Sequence, residues 1–316
     1  MRTFRVLSIE FVLTIVGIVL LGKLPYLFFN MKEFTDIKQM LDTGMLRNTL
    51  FINYFFEFNW ERYWSAIIDT WDQLLHLSSL TYYTIGYYEP VFPEMWENYV
   101  YSIKVLGSAF LLGTLIAVIV TYLLMLCSNS MIRKVGQSII SAFQLIPDIF
   151  LILLMQFIII YIYKTTDVLV FNILASYGDP AYGLPILCLT VLPTVFLIKT
   201  LILIYEEELE KRYVETAKAK GVKRSGILIV HIFRNALISM FNHSKMLLWF
   251  TLSNLLMLEV LFNIDGFTSF LWKAGTLNPH IFTVGLLMIF IPFFFIFVIS
   301  GLLIANMTNK QEAVFE

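Results

Sequence analysis

The sequence has few charged residues and few cysteines for its length of 316 residues. Lys, Arg, Asp and Glu together make up 14% of the chain, the formal net charge is −1, and hydrophobic residues make up 59%. Soluble globular domains carry about 25% charged residues, so this composition excludes an ordinary water-soluble fold. Only two cysteines occur, Cys127 and Cys188, so we expect neither a disulfide framework nor a cysteine-based metal cluster.

Sequence patterns of catalysis and of cofactor binding are missing as well. There is no Gly-x-x-x-x-Gly-Lys-Ser/Thr pattern, so the chain is not expected to hydrolyse ATP itself. The four histidines, at positions 76, 231, 243 and 280, form no His-Glu-x-x-His pattern, and no nucleophile elbow is present. We therefore predict a chain that is not an enzyme and that holds no metal or cofactor of its own.

Long apolar runs are abundant instead. A bilayer core about 30 Å thick needs about 20 apolar residues for each helical span. Three runs contain no Asp, Glu, Lys or Arg: Val105–Ile132, Pro180–Ile198 and Ala274–Asn309. Three others, residues 6–29, 139–163 and 237–262, keep the apolar character although each includes at least one charge. The sequence thus predicts an all-α integral membrane protein with six transmembrane helices.

The distribution of Lys and Arg predicts the orientation of these spans, because cytoplasmic loops are enriched in both. Arg2 and Arg5 precede the first span, Arg133 and Lys134 follow the second, and seven basic residues lie between positions 205 and 235. The connection 30–98 carries four basic and ten acidic residues. We therefore expect both termini in the cytoplasm. The predicted regions are a first helix (1–29), an extracytoplasmic connection (30–98), a five-helix core (99–304) with a cytoplasmic loop (205–236), and a cytoplasmic tail (305–316).

The connection 30–98 is rich in aromatic residues, and one part of it has helical spacing. Within residues 60–80 the apolar positions are Tyr63, Ile67, Trp71, Leu74 and Leu75. One interpretation is an interfacial helix with Trp and Tyr at headgroup depth, and the other is a contact surface for an external partner.

The most polar stretch of the chain lies between the fourth and fifth spans. Acidic residues crowd its beginning and basic residues its later part, which predicts a helix from near Glu206 to around Gly221 because each charge opposes the local end of the helix dipole. On such a helix Tyr213, Ala217 and Gly221 are spaced by four and share a narrow face of one ring and two small residues. A face of this kind is suited to close packing in the groove of a partner.

Two sequence segments resemble motifs of a known family. The segment Glu215-Thr-Ala-Lys-Ala-Lys-Gly221, followed by Arg234-Asn-Ala-Leu-Ile, resembles the EAA loop of type I ABC importer permeases, in particular the peptide and nickel branch that includes oligopeptide and dipeptide permease B. The segment from Glu259 to Phe267 is similar to the Glu-x-x-Phe-x-x-Pro-Gly-Leu signature of that branch. The resemblance covers most of the chain. It departs at Asp265 and Ser239, where the family commonly has proline.

The resemblance implies a short coupling helix that docks into a cytoplasmic ATPase. The residues implied are Tyr213, Glu215, Thr216, Ala217, Ala219 and Gly221. Small residues would permit close approach, Glu215 would offer an acceptor, and Gly221 would turn the chain between two helices. An ordinary positive-inside loop is the alternative for the basic residues Lys218, Lys220, Lys223 and Arg224, which would then meet only water and anionic headgroups.

The resemblance also implies partners and a location. The partners are a second, homologous permease subunit, two cytoplasmic ATPase subunits or domains that bind ATP and Mg, and an extracytoplasmic substrate-binding protein. The location is a prokaryotic inner membrane, with lipid as the surrounding solvent and no nucleic-acid partner. Short peptides are the expected cargo, with nickel or a metal chelate as the alternative.

Ionisable residues inside membrane spans are costly and are therefore functional candidates. Asp148 follows Gln144 by four residues, which would place both on one face of the third span, lining a hydrated pathway. The alternatives for Asp148 are an ion pair with a basic residue of a neighbouring helix and a turn loosened by Pro147 whose free backbone groups need partners. Glu259, near the outer end of the fifth span, is either part of an external gate or a helix-packing residue. A secondary transporter driven by an ion gradient would depend on such charges and is the alternative function.

Overall fold

The computed structural model describes residues 2–48, 57–84, 86–127, 129–176 and 180–315, with the backbone alone for residues 2–4, 130 and 303–315. Contacts divide the chain into two compact units. Unit 1 comprises Met1–Tyr99 with Phe267–Glu316, and unit 2 comprises Val100–Gly266. Each unit is described separately below.

Nearly all of the described chain is helical. In chain order the helices are α1 (Arg2–Gly22), α2 (Leu24–Phe28), α3 (Met31–Asp42), α4 (Trp60–Leu75), α5 (Glu94–Leu126), α6 (Ser130–Phe143), α7 (Asp148–Thr166), α8 (Gly183–Leu209), α9 (Arg212–Ala219), α10 (Arg224–Gly226), α11 (Phe233–Leu261), α12 (Phe267–Gly275) and α13 (Pro279–Phe315). A short antiparallel hairpin of β1 (Thr81–Thr84) and β2 (Tyr87–Pro90) lies between α4 and α5.

Among the described residues, six helical stretches are long and apolar enough to cross a membrane, which confirms the predicted fold class. They are Arg5–Phe28, Glu94–Leu126, Asp148–Thr166, Gly183–Leu209, Arg224–Leu261 and Pro279–Leu302. The bounds differ from prediction at the sixth stretch, where the apolar run from Ala274 is divided between the end of α12 and the start of α13.

The third span also begins later than predicted. Residues 139–143 belong to the separate helix α6, and α7 begins only at Asp148, after Pro147. Pro147 lacks an amide hydrogen and disfavours helical geometry in the residue before it, so a continuous helix through 139–163 is interrupted at this point. Gln144 and Asp148 therefore do not share a helix face, and the predicted pairing of these two residues is wrong.

The fifth apolar stretch is longer than a bilayer is thick. Its 38 residues would measure about 57 Å as a continuous helix, against an apolar core of about 30 Å. A single π-helical turn, Ile227–Ile232, joins α10 to α11 near the beginning of the stretch. π-Turns of this kind are uncommon and occur frequently at functional sites. The first turns of this stretch thus extend beyond the span itself.

A buried apolar cluster connects several helices of the described part of unit 2. Helices α8 and α11 pack against each other, and α5 and α9 add residues to the same cluster. Fully or nearly fully buried members include Ala117, Leu201, Val214, Leu228 and Ile232. This cluster joins the spans to the loop between α8 and α11.

In unit 1, α4 carries two different apolar faces. One face is buried at Tyr63, Ala66, Ile67 and Thr70 and packs with α1 and α2, where Tyr63 donates a hydrogen bond to the Leu20 carbonyl at 3.1 Å. The other face is exposed at Trp60, Trp64, Ile68, Trp71 and Leu75. The helical spacing predicted from Tyr63, Ile67, Trp71, Leu74 and Leu75 agrees with α4. These residues divide between the two sides of the helix: Tyr63 and Ile67 are buried, whereas Trp71 and Leu75 are exposed.

Candidate functional site

The loop between α8 and α11 contains α9, whose end is sharply defined. Gly221 follows α9 with φ of 76°, in the left-handed region. The Val222 amide donates to the Ala217 carbonyl at 3.1 Å, and the Gly221 amide donates to the Lys218 carbonyl at 3.0 Å. These two bonds form a Schellman motif, which favours glycine because a Cβ opposes positive φ. The predicted helix end near Gly221 agrees with this geometry.

The beginning of α9 differs from the prediction. Glu206 and its neighbours to Leu209 form the last turn of α8, and α9 itself begins only at Arg212. Because Tyr205 and Glu208 are buried, the packing of unit 2 extends α8 past the point where the sequence becomes polar. The acidic residues thus lie at the C-terminal end of a span, where the helix dipole disfavours them.

Helix α9 has an inner and an outer face. Val214 and Ala217 are buried in the cluster of unit 2, and Tyr213 packs against it. Glu215, Thr216 and Ala219 are exposed, as are Lys218 and Lys220. The predicted docking face of Tyr213, Ala217 and Gly221 is therefore wrong: two of its members pack against their own chain, and Gly221 lies beyond the helix. A partner would meet Glu215, Thr216 and Ala219 instead.

The carboxylate of Glu208 holds the two ends of the loop together. Glu208 is only 5% exposed. It accepts hydrogen bonds from the Lys211 ammonium at 2.5 Å, the Tyr213 hydroxyl at 2.5 Å and the Asn235 amide at 3.1 Å. Three donors compensate the burial of a charge that would otherwise be costly. Glu208 thus connects the end of α8 with α9 and with the beginning of α11.

These contacts also affect the ionisation of the loop residues. Burial and the hydrogen bond to Glu208 raise the pKa of Tyr213, so its hydroxyl stays protonated and donates. The hydrogen bond to Glu208 is the largest influence on Lys211 and raises the pKa of its ammonium. Both donors therefore keep their protons at neutral pH.

A second attachment joins the loop to α5. The Arg224 side chain donates from Nε and Nη2 to the Met125 carbonyl, at 3.1 and 2.8 Å. Met125 lies in the last turn of α5, whose carbonyls have no partners within the helix, and a cation is favourable there. Arg224 therefore makes a specific structural contact. The interpretation as an ordinary positive-inside loop, in which Arg224 meets only water and headgroups, does not account for this contact.

The residues predicted to line a pathway lie apart from this loop and are not brought together. Gln144 accepts a hydrogen bond from the Lys199 ammonium at 2.5 Å. Asp148 forms a hydrogen bond with Asn254 of α11 beside a cavity of about 20 Å³, which Pro193 also lines. A cavity of that size holds about one water molecule. Asp148 thus has a polar partner on a neighbouring helix and not a basic one.

Glu259 is completely buried in unit 2. Its Oε1 accepts a hydrogen bond from the Ser102 hydroxyl at 2.5 Å. A Cβ on Gly266 would lie 2.2 Å from the carboxyl carbon of Glu259, so a larger residue there would have to displace the buried carboxyl group. This geometry favours the helix-packing interpretation of Glu259 over the gate, and it gives a physical reason for a glycine seven residues later.

Sequence reasoning missed three residues of this site. Glu208, Asn235 and Arg224 make the contacts that position the loop, yet none was singled out for this role. A sequence signal for Glu208 did exist. Glu208 follows Tyr205 by three residues and therefore lies on the same side of α8 as that ring, whereas Glu207 and Glu210 lie on other sides of the helix.

Comparison with known proteins identifies the family. Residues 109–310, more than half of the chain, match the model of the family described as binding-protein-dependent transport system inner membrane component. One relative is the inner membrane ABC transporter permease protein YejB of Escherichia coli O157:H7, which is 37% identical over 87 residues. That match covers 27% of this chain and 23% of the relative, so the chain matches less than a quarter of the relative's length. The chain therefore belongs to the family of inner membrane components of binding-protein-dependent transport systems, which are permease components and not enzymes.

Proposed function

We propose that the chain is a permease subunit of an ATP-driven importer in a prokaryotic inner membrane. With a second, homologous permease it forms a translocation pathway that works by alternating access. Two ATPase subunits or domains bind ATP and Mg below it, and an extracytoplasmic binding protein delivers the solute. The chain itself contributes no catalytic group.

The observation that carries this proposal is the two-sided construction of α9. Its inner face is buried with the spans, and Glu208 and Arg224 attach the loop to α8, α11 and α5. Its outer face offers an acceptor and two small side chains, Glu215, Thr216 and Ala219. A force applied to the outer face would reach α5, α8 and α11, because α9 is packed and hydrogen-bonded against these spans.

The proposed orientation has both termini and α9 in the cytoplasm. The support is the excess of Lys and Arg on that side, including the exposed Lys218, Lys220 and Lys223. In this orientation α4 and the hairpin are extracytoplasmic.

Short peptides are the proposed cargo, with nickel or a metal chelate as the alternative. The support is the Thr216-Ala-Lys-Ala-Lys-Gly221 segment, which resembles the peptide and nickel branch. Among the described residues no group of three or more His, Cys, Asp and Glu side chains is placed to hold a metal ion. A translocation path need not hold its cargo tightly, so a pathway for nickel need not contain such a group of side chains.

Reconstitution tests the proposal. The tagged chain is purified from its host with its associated proteins and reconstituted in liposomes, and uptake of a radiolabelled tripeptide is measured with ATP and with a non-hydrolysable ATP analogue. We expect an ATPase to co-purify and uptake to require ATP hydrolysis. Uptake that follows an imposed ion gradient without ATP would establish the secondary transporter, whereas ATP-dependent uptake of nickel alone would establish the other cargo.

A further inference from the structure

Unit 1 contains a large cavity that the proposed coupling mechanism does not use. Its volume is about 780 Å³, and it lies among α2, α3, α4, the β-hairpin and the turn between α12 and α13. Small-molecule sites commonly have volumes of about 300–1,000 Å³. The cavity is therefore large enough for a ligand of several residues.

One face of α4 contributes unsatisfied polar groups to this cavity. Arg62, Asp69 and Gln73 line it and recur at seven and four residues, so they lie on one side of the helix. Arg62 Nε and Gln73 Oε1 are shielded from water and have no hydrogen-bond partner in the part of the chain that the structure describes. Buried donors and acceptors without partners are costly and rare. A ligand that accepts from Arg62 and donates to Gln73 would remove this cost.

The charges around the cavity are of both signs. Lys32 and Arg62 are cationic, and Asp36 and Asp69 are anionic. Within the described ranges Asp36, Asp69 and Lys32 form no ion pair, whereas Arg62 Nη2 lies 3.8 Å from Glu57 Oε2 and leaves Nε free for a ligand. A ligand with only one sign of charge would be repelled by half of these groups. A zwitterion can satisfy both.

A third cation lies just behind the wall. Lys23 is fully buried, and its ammonium lies 5.9 Å from the centre of the Tyr26 ring, which lines the cavity. The ammonium has no hydrogen-bond partner among the described residues. The carboxylate of Asp69, which lines the cavity, interacts electrostatically with this ammonium. This end of the cavity therefore presents charges of both signs to a ligand.

The remaining wall is aromatic. The tyrosine hydroxyls of the hairpin already have partners: Tyr82 donates to Glu89 at 2.9 Å, Tyr83 accepts from the Gly86 amide at 3.2 Å, and Tyr88 accepts from Gln39 at 2.9 Å. Tyr83 and Tyr88 accept in these bonds and keep their own O–H donors, and the hairpin also offers the apolar surface of its rings. That surface suits an apolar or aromatic side chain of a ligand.

We propose that this cavity binds a short peptide, with its free carboxylate and ammonium paired to the charged groups and a side chain against the tyrosine rings. The site lies wholly within unit 1 and is separate from the α9 loop. It deepens the proposed cargo of short peptides and rests on that part of the proposed function, although binding here can be measured without the ATPase and without transport.

Calorimetry on the purified full-length chain without its ATPase tests this proposal. The probe is the tripeptide Ala-Phe-Ala, compared with its N-acetylated and its C-amidated forms. We expect saturable binding of the free tripeptide and affinity at least about tenfold weaker when either terminus is blocked, since each block removes a charged hydrogen bond. Absence of saturable binding, or equal binding of all three peptides, would overturn the proposal.

Matched variants locate the site. Asp69→Asn and Asp36→Asn should weaken binding about tenfold, whereas Asp72→Asn and Asp42→Asn, on the same two helices but outside the cavity, should leave it unchanged. Thermal unfolding of each variant shows that the fold is intact. Equal weakening by the cavity and control variants would contradict the assignment.

A zwitterionic lipid headgroup carries the same charges and must be distinguished. Nanodiscs with and without phosphatidylethanolamine provide the comparison. Unchanged tripeptide affinity in both supports the peptide site. Binding of the lipid that prevents all tripeptide binding would show that the cavity is a lipid site and would overturn the proposal. Failure of ATP-dependent transport leaves these binding results unaffected, so the two proposals fail separately.

Discussion

Glu208 and Asn235, which are 27 residues apart, are joined by a hydrogen bond of 3.1 Å. Because Lys211 and Tyr213 bond to the same carboxylate, a single buried side chain fixes where the loop leaves the fourth span and where it enters the fifth. Glu208 of α8 therefore contributes to the position of α9 together with the buried Val214 and Ala217 and the Arg224 contact to Met125.

Replacement of this carboxylate should loosen the loop. Glu208→Gln keeps the size of the side chain but removes the charge that its three donors meet, and hydrogen bonds to charged groups contribute about 1.5–3 kcal/mol. We expect a loss of about 2 kcal/mol in the free energy of unfolding, measured by thermal unfolding in detergent. The control is Glu210→Gln, at an exposed position, which should change stability by less than about 0.5 kcal/mol. Equal effects of the two substitutions would contradict the role of Glu208.

The turn after α9 depends on backbone geometry alone. No atom lies within 4 Å of a Cβ placed on Gly221, so the cost of Gly221→Ala comes from its φ of 76° and should be about 1 kcal/mol. Gly107→Ala is the matched control, because Gly107 lies in α5 with equally open surroundings and helical geometry. That change should leave the protein unaltered or stabilise it by about 0.5 kcal/mol. Chemical denaturation distinguishes the two, and a neutral Gly221→Ala would argue against the Schellman turn.

Gly266 and Glu259 should be energetically coupled. A Cβ on Gly266 overlaps the Glu259 carboxyl group, so Gly266→Ala should destabilise the chain by at least about 2 kcal/mol. In the Glu259→Ala background the carboxyl group is absent and the same change should cost much less. A double-mutant cycle measures this non-additivity. Strictly additive effects would show that the two residues do not meet.

The exposed aromatic side of α4 should contact lipid. Trp60, Trp64 and Trp71 are about half exposed on a side of α4 separate from its buried face, and Trp is enriched at membrane interfaces. In a chain that keeps Trp64 as its only tryptophan, lipids brominated near the headgroup should quench fluorescence strongly and aqueous iodide only weakly. The reverse result would favour the alternative of a surface for an external partner.

The sequence was sufficient to predict the six spans, because long apolar runs have few alternatives in water. It was also sufficient for the end of α9, because Gly221 is a strong local signal. It was not sufficient for the start of α9. The charge pattern placed it near Glu206, but burial of Tyr205 and Glu208 extends α8, and tertiary packing overrides local charge.

The direction in which each residue of α9 faces could not be predicted from spacing either. Tyr213 and Ala217 share a face by helical periodicity, and that much is correct. Periodicity does not say whether a face made of small residues meets a partner or the protein's own core. Val214, which follows Tyr213, is completely buried, and this burial indicates that the face meets the protein's own core. Likewise the four-residue spacing of Gln144 and Asp148 does not place them on one helix face, because α6 ends at Phe143 and α7 begins only after Pro147.

Cysteine cross-linking tests the coupling surface most directly. Two variants are made in a chain whose Cys127 and Cys188 are replaced by serine. Ala219→Cys places a thiol on the exposed side of α9, and Ala217→Cys places a thiol two residues away on its buried side. After purification of the chain with its ATPase, benzophenone maleimide attached to the introduced thiol should on irradiation link the ATPase to position 219 and not to position 217. An intact complex that gives no product from position 219, or equal product from position 217, would contradict the account.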